Sequence, residues 1–277
     1  MKAANLWLVP VFAGAIAASS SARGESFSSF GALDRHSRDS MVGIDLGLGF
    51  IEPGPLDNDQ ALRLELHGQY LIDDDVGLYG MLPFSRLFVE GFDSSMAMGN
   101  LELGGFYVAP LSDFDLTLRG GFALPTADSG DFFDIIAGEI PGAFSNFVAH
   151  SVRITDLALA FPDTTWLRLS ASPTLRSGDA FFRADVGVDV PLRSDFDADP
   201  LIRINAGGGL DLDRLSLLAE LAMLFDSDGD DLISAAFTAR FHGQQLRPGV
   251  SLLVPINDAL RDVLDLGLVF GLQVHLD

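Results

Sequence analysis

The sequence contains no cysteine among its 277 residues. The chain therefore has no disulfide framework, no thiolate metal site and no cysteine that could anchor it as a lipoprotein. After its first twenty residues it also lacks an apolar run of about 18 residues, the length that a membrane-spanning helix needs. A protein built from helical membrane spans is thereby excluded.

Positive charge is also scarce. Lysine and arginine together number 17, against 39 aspartates and glutamates, and the formal net charge is −22. A protein this acidic repels the phosphates of nucleic acids and offers few basic residues for docking on anionic lipid. Nucleic acid is therefore not expected as a partner.

Apolar residues are abundant but evenly spread. They make up 48% of the chain, whose mean hydropathy is +0.29, and Asp, Arg and Gly interrupt them throughout. A transmembrane β-barrel reconciles this composition with the charge, because only every second residue of each strand faces lipid.

The first 22 residues have the three parts of an export signal. Lys2 precedes an apolar stretch from Leu6 to Ala18, and small residues follow as far as Ala22. Because these 13 apolar residues are too few for a membrane span, we favour a cleaved signal peptide over a retained anchor. The predicted organisation is a signal peptide over 1–22, a flexible segment over 23–40 and a barrel over 41–277.

From about Met41 onward, apolar and polar residues alternate in segments of about ten, separated by turn-forming residues. Side chains alternate between the two faces of a strand, so each segment has one uncharged apolar face and one face that carries charges. The clearest segments are Leu62–Ile72, Phe114–Leu124, Phe182–Val190, Ile202–Leu212, Leu215–Phe225, Ile233–Phe241 and Leu264–Leu276. Leu215–Phe225 also fits a helix, but its alternating neighbours favour a strand, whereas Asn257–Leu264 fits a short helical turn.

Alternation alone is compatible with a soluble β-sandwich and with a membrane barrel. The segments, of about 10 to 12 residues, are longer than most strands of soluble sheets, and acidic turns such as Asp73–Asp75 separate them. We therefore predict an all-β fold, a single antiparallel transmembrane β-barrel. About thirteen candidate strands are present; because a bacterial barrel needs an even number, twelve strands are the first choice and fourteen the alternative.

Ten polar or charged residues of the inward faces are the candidate lumen-lining residues. They are Arg63, Glu65, His67, Arg119, Arg183, Asp185, Asp189, Arg203, Glu220 and Arg240. We expect them to pair across neighbouring strands, because buried charges need partners; the alternative is an open pathway that sorts solutes by charge. Small inward residues such as Thr117, Gly121 and Gly187 predict some open space. The segment Pro125–His150, broken by Pro141, is expected to narrow or cover the lumen.

No catalytic site, metal or other cofactor is predicted. The neighbouring pairs His36–Ser37 and His150–Ser151 would point to opposite faces of a strand, and no Gly-x-Ser-x-Gly motif is present. Asp226–Asp231 begins like a calcium-binding loop, but its glycine comes fourth instead of sixth, so a solvated acidic turn is the better interpretation. Gly207–Gly209 lacks the spacing of a phosphate-binding loop and fits a closely packed strand.

Two neighbouring segments resemble a known family. Val76–Phe84 is a strand-like segment that ends in Leu-Pro-Phe, and after a loop Gly99–Tyr107 reads GNLELGGFY. Together they resemble the phenol meta-degradation-type outer-membrane transporters, which are distantly like long-chain fatty-acid channels. Asn100 stands where that family usually has an acidic residue. The resemblance implies an outer-membrane channel for hydrophobic compounds.

The predicted function is therefore that of an outer-membrane barrel, without enzymatic activity, which passes small molecules of hydrophobic character. Its expected partners are outer-membrane lipid, lipopolysaccharide and the small-molecule cargo. Two alternatives remain open. One is a closed barrel with a structural or adhesive role, and the other is a secreted soluble β-sandwich that binds a ligand.

Overall fold

A computed structural model of the protein describes residues 38–51, 59–129, 140–193, 198–226, 231–243 and 245–276. The predicted signal peptide and most of the predicted flexible segment lie outside these residues, as do residues 227–230 of the acidic turn and 130–139 of the segment expected to cover the lumen. Those predictions remain predictions for the parts concerned.

In the residues that the structure describes, the secondary structure comprises thirteen β-strands, which form one antiparallel sheet, and three helices. In chain order they are β1 Ser40–Phe50, β2 Gln60–Asp73, β3 Val76–Phe88, β4 Ala97–Met98, β5 Leu101–Pro110, β6 Asp115–Leu124, β7 Thr165–Ser177, β8 Ala180–Arg193, β9 Leu201–Leu212, β10 Leu215–Phe225, β11 Leu232–Phe241, β12 Leu246–Pro255 and β13 Leu266–Leu276. The helices are α1 Gly142–His150, a 3-10 helix Ser151–Leu159 and α2 Asp258–Arg261. Among the described residues, no helix has both the length and the apolar character needed to cross a bilayer.

The sheet closes into a barrel of twelve strands. β1 pairs with β13 along its whole length, from Ser40 opposite Leu276 to Phe50 opposite Leu266. The two-residue β4 pairs with one part of β3, and β5 pairs with another part of the same edge. β4 and β5 therefore share one strand position, which confirms the predicted twelve-stranded barrel. The helical turn predicted within 257–264 is also present, as α2.

Connections alternate in length around the barrel. Two residues join β2 to β3, β7 to β8 and β9 to β10 at one end, which we call the short-turn end. At the opposite, long-loop end, the connection between β6 and β7 runs from residue 125 to residue 164. Outer-membrane barrels have short periplasmic turns and longer extracellular loops, so this alternation is the expected one.

The outward face of the strands is apolar. Leu66, Leu118 and Val186 lie near the middle of their strands and point outward, with Val186 54% exposed. A continuous exposed apolar surface of this kind is unfavourable in water and favourable against hydrocarbon. The seven alternating segments are thus confirmed as strands, with one correction. Leu264 precedes β13 and is buried inside, because it packs with Val152 and Leu253.

The interior at the long-loop end is filled by the chain itself. We call residues 140–160, which comprise α1 and the 3-10 helix, the lumenal segment. Its residues Ile154, Leu157 and Leu159 are buried against an apolar inner wall. That wall is formed by strand residues Met81, Ala123, Trp166, Leu201, Ala222 and Leu224. The sequence placed the covering segment at Pro125–His150, whereas the part that packs inside extends ten residues further, to 160.

Candidate functional site

Buried charges are balanced inside the barrel. In the described part of the chain, eight arginines and eight acidic residues are buried. Ten of these sixteen form a continuous cluster that we call the central ion network. Its members are Arg63, Arg119, Arg153, Arg168 and Arg203, with Asp45, Glu65, Glu102, Asp156 and Asp189. Five cations face five anions, so the network as a whole carries no net charge.

Arg168, on β7, lies at the centre of this network and is fully buried. Its guanidinium contacts three carboxylates: Nη1 bonds Glu102, Nη2 lies 3.3 Å from Asp156 Oδ1, and Nε lies 3.2 Å from Asp189 Oδ1. Glu102 also accepts a hydrogen bond of 2.5 Å from Arg119. Arg168 therefore joins β5 and β8 of the barrel wall to the lumenal segment.

Asp156 connects the lumenal segment to the wall. Its Oδ2 lies 2.7 Å from Arg153 Nε and 3.3 Å from Arg63 Nη2, while its Oδ1 faces Arg168. Arg63 in turn lies 2.5 Å from Glu65 on the same strand. One carboxylate is thus held by three guanidinium groups in a water-excluded site, where charge-assisted hydrogen bonds are strong.

The structure brings five of the ten predicted residues into the network. These are Arg63, Glu65, Arg119, Asp189 and Arg203. The other five, His67, Arg183, Asp185, Glu220 and Arg240, are also buried on inward faces. Asp185 accepts hydrogen bonds from Ser172 and Asn205, and Arg240 donates to Gln273. A role of these ten residues in lining a pathway remains a prediction.

Five members of the network were missed from the sequence. They are Asp45, Glu102, Arg153, Asp156 and Arg168. Arg168 had a detectable signal, because Trp166, Arg168 and Ser170 alternate with Leu167 and Leu169 as in the other strands. Arg153 and Asp156 had none, since the 3-10 helix that presents them enters the barrel through tertiary contacts.

The open space expected beside small inward residues is not present at two of them. A Cβ on Gly121 would lie 2.2 Å from the hydroxyl of Tyr79, and a Cβ on Gly187 would lie 2.6 Å from Arg203 Nη2. These glycines therefore make room for large inward side chains. A single strand considered alone does not reveal these long side chains of its neighbours, and open space elsewhere in the barrel remains a prediction.

Asp45, Glu65 and His67 form the group of described residues whose ligand atoms could hold a metal ion, all within 4.8 Å of one another. Arg153 Nη1 lies 3.7 Å from Glu65 Oε1 and 4.0 Å from Asp45 Oδ2. A guanidinium that already faces both carboxylates competes with a cation there. The donor set is thus matched to arginine in this arrangement.

A group of three polar side chains lies near the short-turn end and consists of Ser216, His242 and Asp211. Its serine and histidine are 26 residues apart in the chain, so it is not one of the adjacent Ser and His pairs. Ser216 Oγ donates to Asp211 Oδ1 at 2.6 Å and contacts His242 Nε2 at 2.5 Å. A nucleophilic serine needs its hydroxyl proton directed at the base, with the acid on the far ring nitrogen. Here the Asp211 carboxylate itself accepts the hydrogen bond from the serine hydroxyl, and Ser216 is fully buried. The grouping is a structural hydrogen-bond cluster.

His150 and Ser151 also bond separately. They lie at the junction of α1 and the 3-10 helix, not in a strand as assumed. His150 Nδ1 lies 2.7 Å from the carbonyl of Asn146, and Ser151 Oγ donates to the carbonyl of Val148. Burial, together with the charge of Arg63, lowers the pKa of His150 to about 3, so its imidazole is neutral and Nδ1 is the donor.

Asn100 fixes the lumenal segment to the break between β4 and β5. Its Nδ2 donates to the carbonyl of Phe161 at 2.7 Å, and its Oδ1 accepts from the backbone amides of Thr126 and Ala127 at 3.0 and 2.9 Å. The backbone amide of Asn100 donates to the carbonyl of Leu159. An amide side chain, which both donates and accepts, is required by these partners. The departure from an acidic residue here thus has a physical cause.

Replacing Asn100 with aspartate (N100D) is expected to lower the free energy of unfolding by at least about 1–3 kcal/mol, because a carboxylate oxygen would face the Phe161 carbonyl without a proton to donate. Urea unfolding of the protein in lipid vesicles at pH 8 and pH 4 measures the effect. The loss should be smaller at pH 4, where the introduced carboxyl is protonated and can donate again. An equal loss at both pH values would contradict this explanation.

Comparison with known proteins finds no matching family model and no matching curated protein. Solved structures do match. The COG4313 outer membrane channel from Pseudomonas putida F1 has 13% sequence identity and a TM-score of 0.57, covering 86% of this chain and 96% of that one. The KdgM porin has 9% sequence identity and a TM-score of 0.53, and the match covers 85% of this chain and 99% of that one. The NanC porin has 9% sequence identity and a TM-score of 0.50, and the match covers 84% of this chain and 100% of that one.

At these identities the likeness shows the fold, which is that of outer-membrane β-barrels. The predicted fold class is thereby confirmed, and the general resemblance to outer-membrane channels is confirmed at the level of architecture. Membership of the phenol meta-degradation-type family remains a prediction.

Proposed function

We propose that the protein is an outer-membrane channel for small molecules of hydrophobic character, with the lumenal segment as its movable closure. The proposal is supported first by the apolar inner wall. Inward residues such as Leu201 and Leu224 are apolar and buried. They meet the side chains of Ile154 and Leu157, and the same surface suits an apolar cargo.

A second support is that the lumenal segment belongs to a connection and not to the barrel wall. It has no strand pairing, and it is attached by apolar contacts, by the ion network and by hydrogen bonds such as that from the Asn100 amide to Leu159. The 3-10 helix is kinked at Arg153, whose φ and ψ are −147° and 75°. The kink divides this helix into two short 3-10 pieces, whose hydrogen-bond geometry is poorer than that of an α-helix. This segment can therefore withdraw while the sheet remains intact.

The matching folds of the COG4313 channel and of the porins support a channel rather than an enzyme. The finer assignment, to transporters of the phenol meta-degradation type with outer-membrane lipid and lipopolysaccharide as surroundings, rests on the sequence resemblance. The competing function is a permanently closed structural barrel, which the balanced charge of the central ion network favours. Conductance separates the two.

A disulfide that locks the lumenal segment to β1 is expected to lower conductance at least tenfold. A Cβ placed on Gly47 would lie 3.3 Å from Cγ1 of Val152, which brings a cysteine pair within disulfide reach. The variant G47C/V152C suits this chain, which has no other cysteine. Planar-bilayer recordings would be made on the oxidised protein and again after a reductant is added, which should restore the current.

The single variants G47C and V152C are the matched controls, and both should conduct like the unmodified protein under oxidising conditions. An oxidised double variant that conducts normally would rule out the lumenal segment as the closure. Failure of the unmodified protein to conduct at all, while it is folded in the bilayer, would rule out the channel.

A further inference from the structure

We infer that the site where Asp156 lies is a carboxylate-binding subsite, which takes a small carboxylate with an apolar body when the lumenal segment withdraws. The inference rests on the proposed function, which it deepens by naming a class of cargo. In the closed state, the segment itself supplies the carboxylate.

The loss of an ion-pair partner by two wall arginines is the first argument. With Asp156 in place, the central ion network has five guanidinium groups and five carboxylates. Withdrawal of the lumenal segment removes Asp156 together with Arg153, and the wall then keeps Arg63 and Arg168 with one carboxylate contact fewer each. A buried guanidinium that loses a partner is costly, so both groups favour a replacement anion.

The geometry of the two wall arginines is the second argument. Arg63 Nη2 and Arg168 Nη2 each lie 3.3 Å from a different oxygen of the Asp156 carboxylate. Two donors directed at the two oxygens of one carboxylate form a fork that fits planar anions. A neutral amide of the same shape offers only one acceptor oxygen and places its N–H donors against guanidinium donors.

The apolar surroundings define the rest of the ligand. Ile154 and Leu157 flank Asp156 in the chain and fill the space beside Trp166 and Leu224. Asp156 and its neighbours thus present a carboxylate close to apolar side chains. A molecule that replaces them has the same two parts, and benzoate is the simplest probe with both.

Trp166 is a suitable reporter, because it lies in the inner wall with its ring centroid 5.6 Å from that of Phe161. The chain has two tryptophans, and Trp7 lies in the predicted signal peptide, so residues 23–277 contain Trp166 as their only tryptophan. In this part of the chain, benzoate is expected to increase quenching of Trp166 fluorescence by acrylamide in a saturable way. Benzamide, which is neutral, and acetate, which has no apolar body, should each need at least tenfold higher concentrations.

A variant sharpens the test. Asp156→Asn removes the resident charge while preserving shape, so benzoate then competes with a neutral side chain and its half-saturating concentration should fall at least tenfold. Asp211→Asn is the matched control, because it removes an inward carboxylate near the short-turn end that is held by Ser216, His242 and Arg176. It should leave the benzoate response within twofold of the parent.

The inference is overturned if benzoate gives no saturable change, if benzamide acts at the same concentrations, or if D156N and D211N respond alike. Should D156N not fold, the three probes on the protein without substitutions decide alone. These readouts are independent of conductance. A protein that conducts but does not distinguish benzoate from benzamide would support the channel and overturn the subsite. A protein that does not conduct but binds benzoate selectively would overturn the channel and support the subsite.

Discussion

Replacing Arg168 with methionine (R168M) is expected to lower the free energy of unfolding by about 3–5 kcal/mol, the usual cost of removing one partner from a buried charge cluster. Glu102, Asp156 and Asp189 would each lose a guanidinium contact, and none of them is accessible to water. Five buried carboxylates would then face four arginines. Methionine keeps most of the side-chain volume, so the loss reports on charge more than on packing.

The measurement is urea unfolding in lipid vesicles, and the folded fraction is monitored through the heat-dependent shift in gel migration that folded barrels show. Arg176→Met is the matched control, because Arg176 lies on the same strand but near the short-turn end, partly exposed, where it pairs with Asp211 at 3.3 Å and lies over the ring of Phe181. Exposed ion pairs contribute less than about 1 kcal/mol. Equal losses in the two variants would show that the network does not hold the lumenal segment in place.

The second large effect is expected on the outside of the barrel. Val186→Arg places a charge on the outward face near the middle of β8, and at the lipid midplane an arginine costs about 2–4 kcal/mol. Leu212→Arg is the control, since Leu212 is outward and exposed but ends β9 beside a short turn. There the cost falls to about 0–1 kcal/mol. Unfolding from lipid vesicles measures both.

A soluble sandwich would behave differently. An exposed valine that contacts water tolerates arginine, and the mature protein would then remain in solution without detergent. If V186R and L212R both left the stability unchanged, the uncharged outward surface could not be a lipid contact, and the transmembrane interpretation would fail.

The barrel was predictable from the sequence because its strands follow a rule that acts one residue at a time. Lipid excludes charge from every second position, so the alternation in 215–225 gave strand β10 with its observed bounds. The helical reading of the same segment was wrong because it uses only every third or fourth residue. The count of twelve followed from the requirement of an even number of strands, which places both ends of the chain on the same side of the membrane.

The candidate site was only half predictable, since its other half depends on contacts between distant parts of the chain. Arg153 and Asp156 have no periodic pattern, and their position follows from the fit of Ile154 and Leu157 to the inner wall. Asn100 looked like a departure from a family motif. Its role became clear only from the carbonyl of Phe161, 61 residues later in the chain.

A consequence for assembly follows from the position of Val152. Its side chain lies against Gly47 on β1 and Gly267 on β13, on both sides of the seam where the first strand meets the last. That seam joins opposite ends of the chain, so its formation closes the longest loop, and we expect it to form late. Because Val152 contacts both strands of the seam, packing of segment 140–160 stabilises the closing ladder, and the closing ladder in turn stabilises the packed segment. Folding of the wall and filling of its interior are therefore coupled.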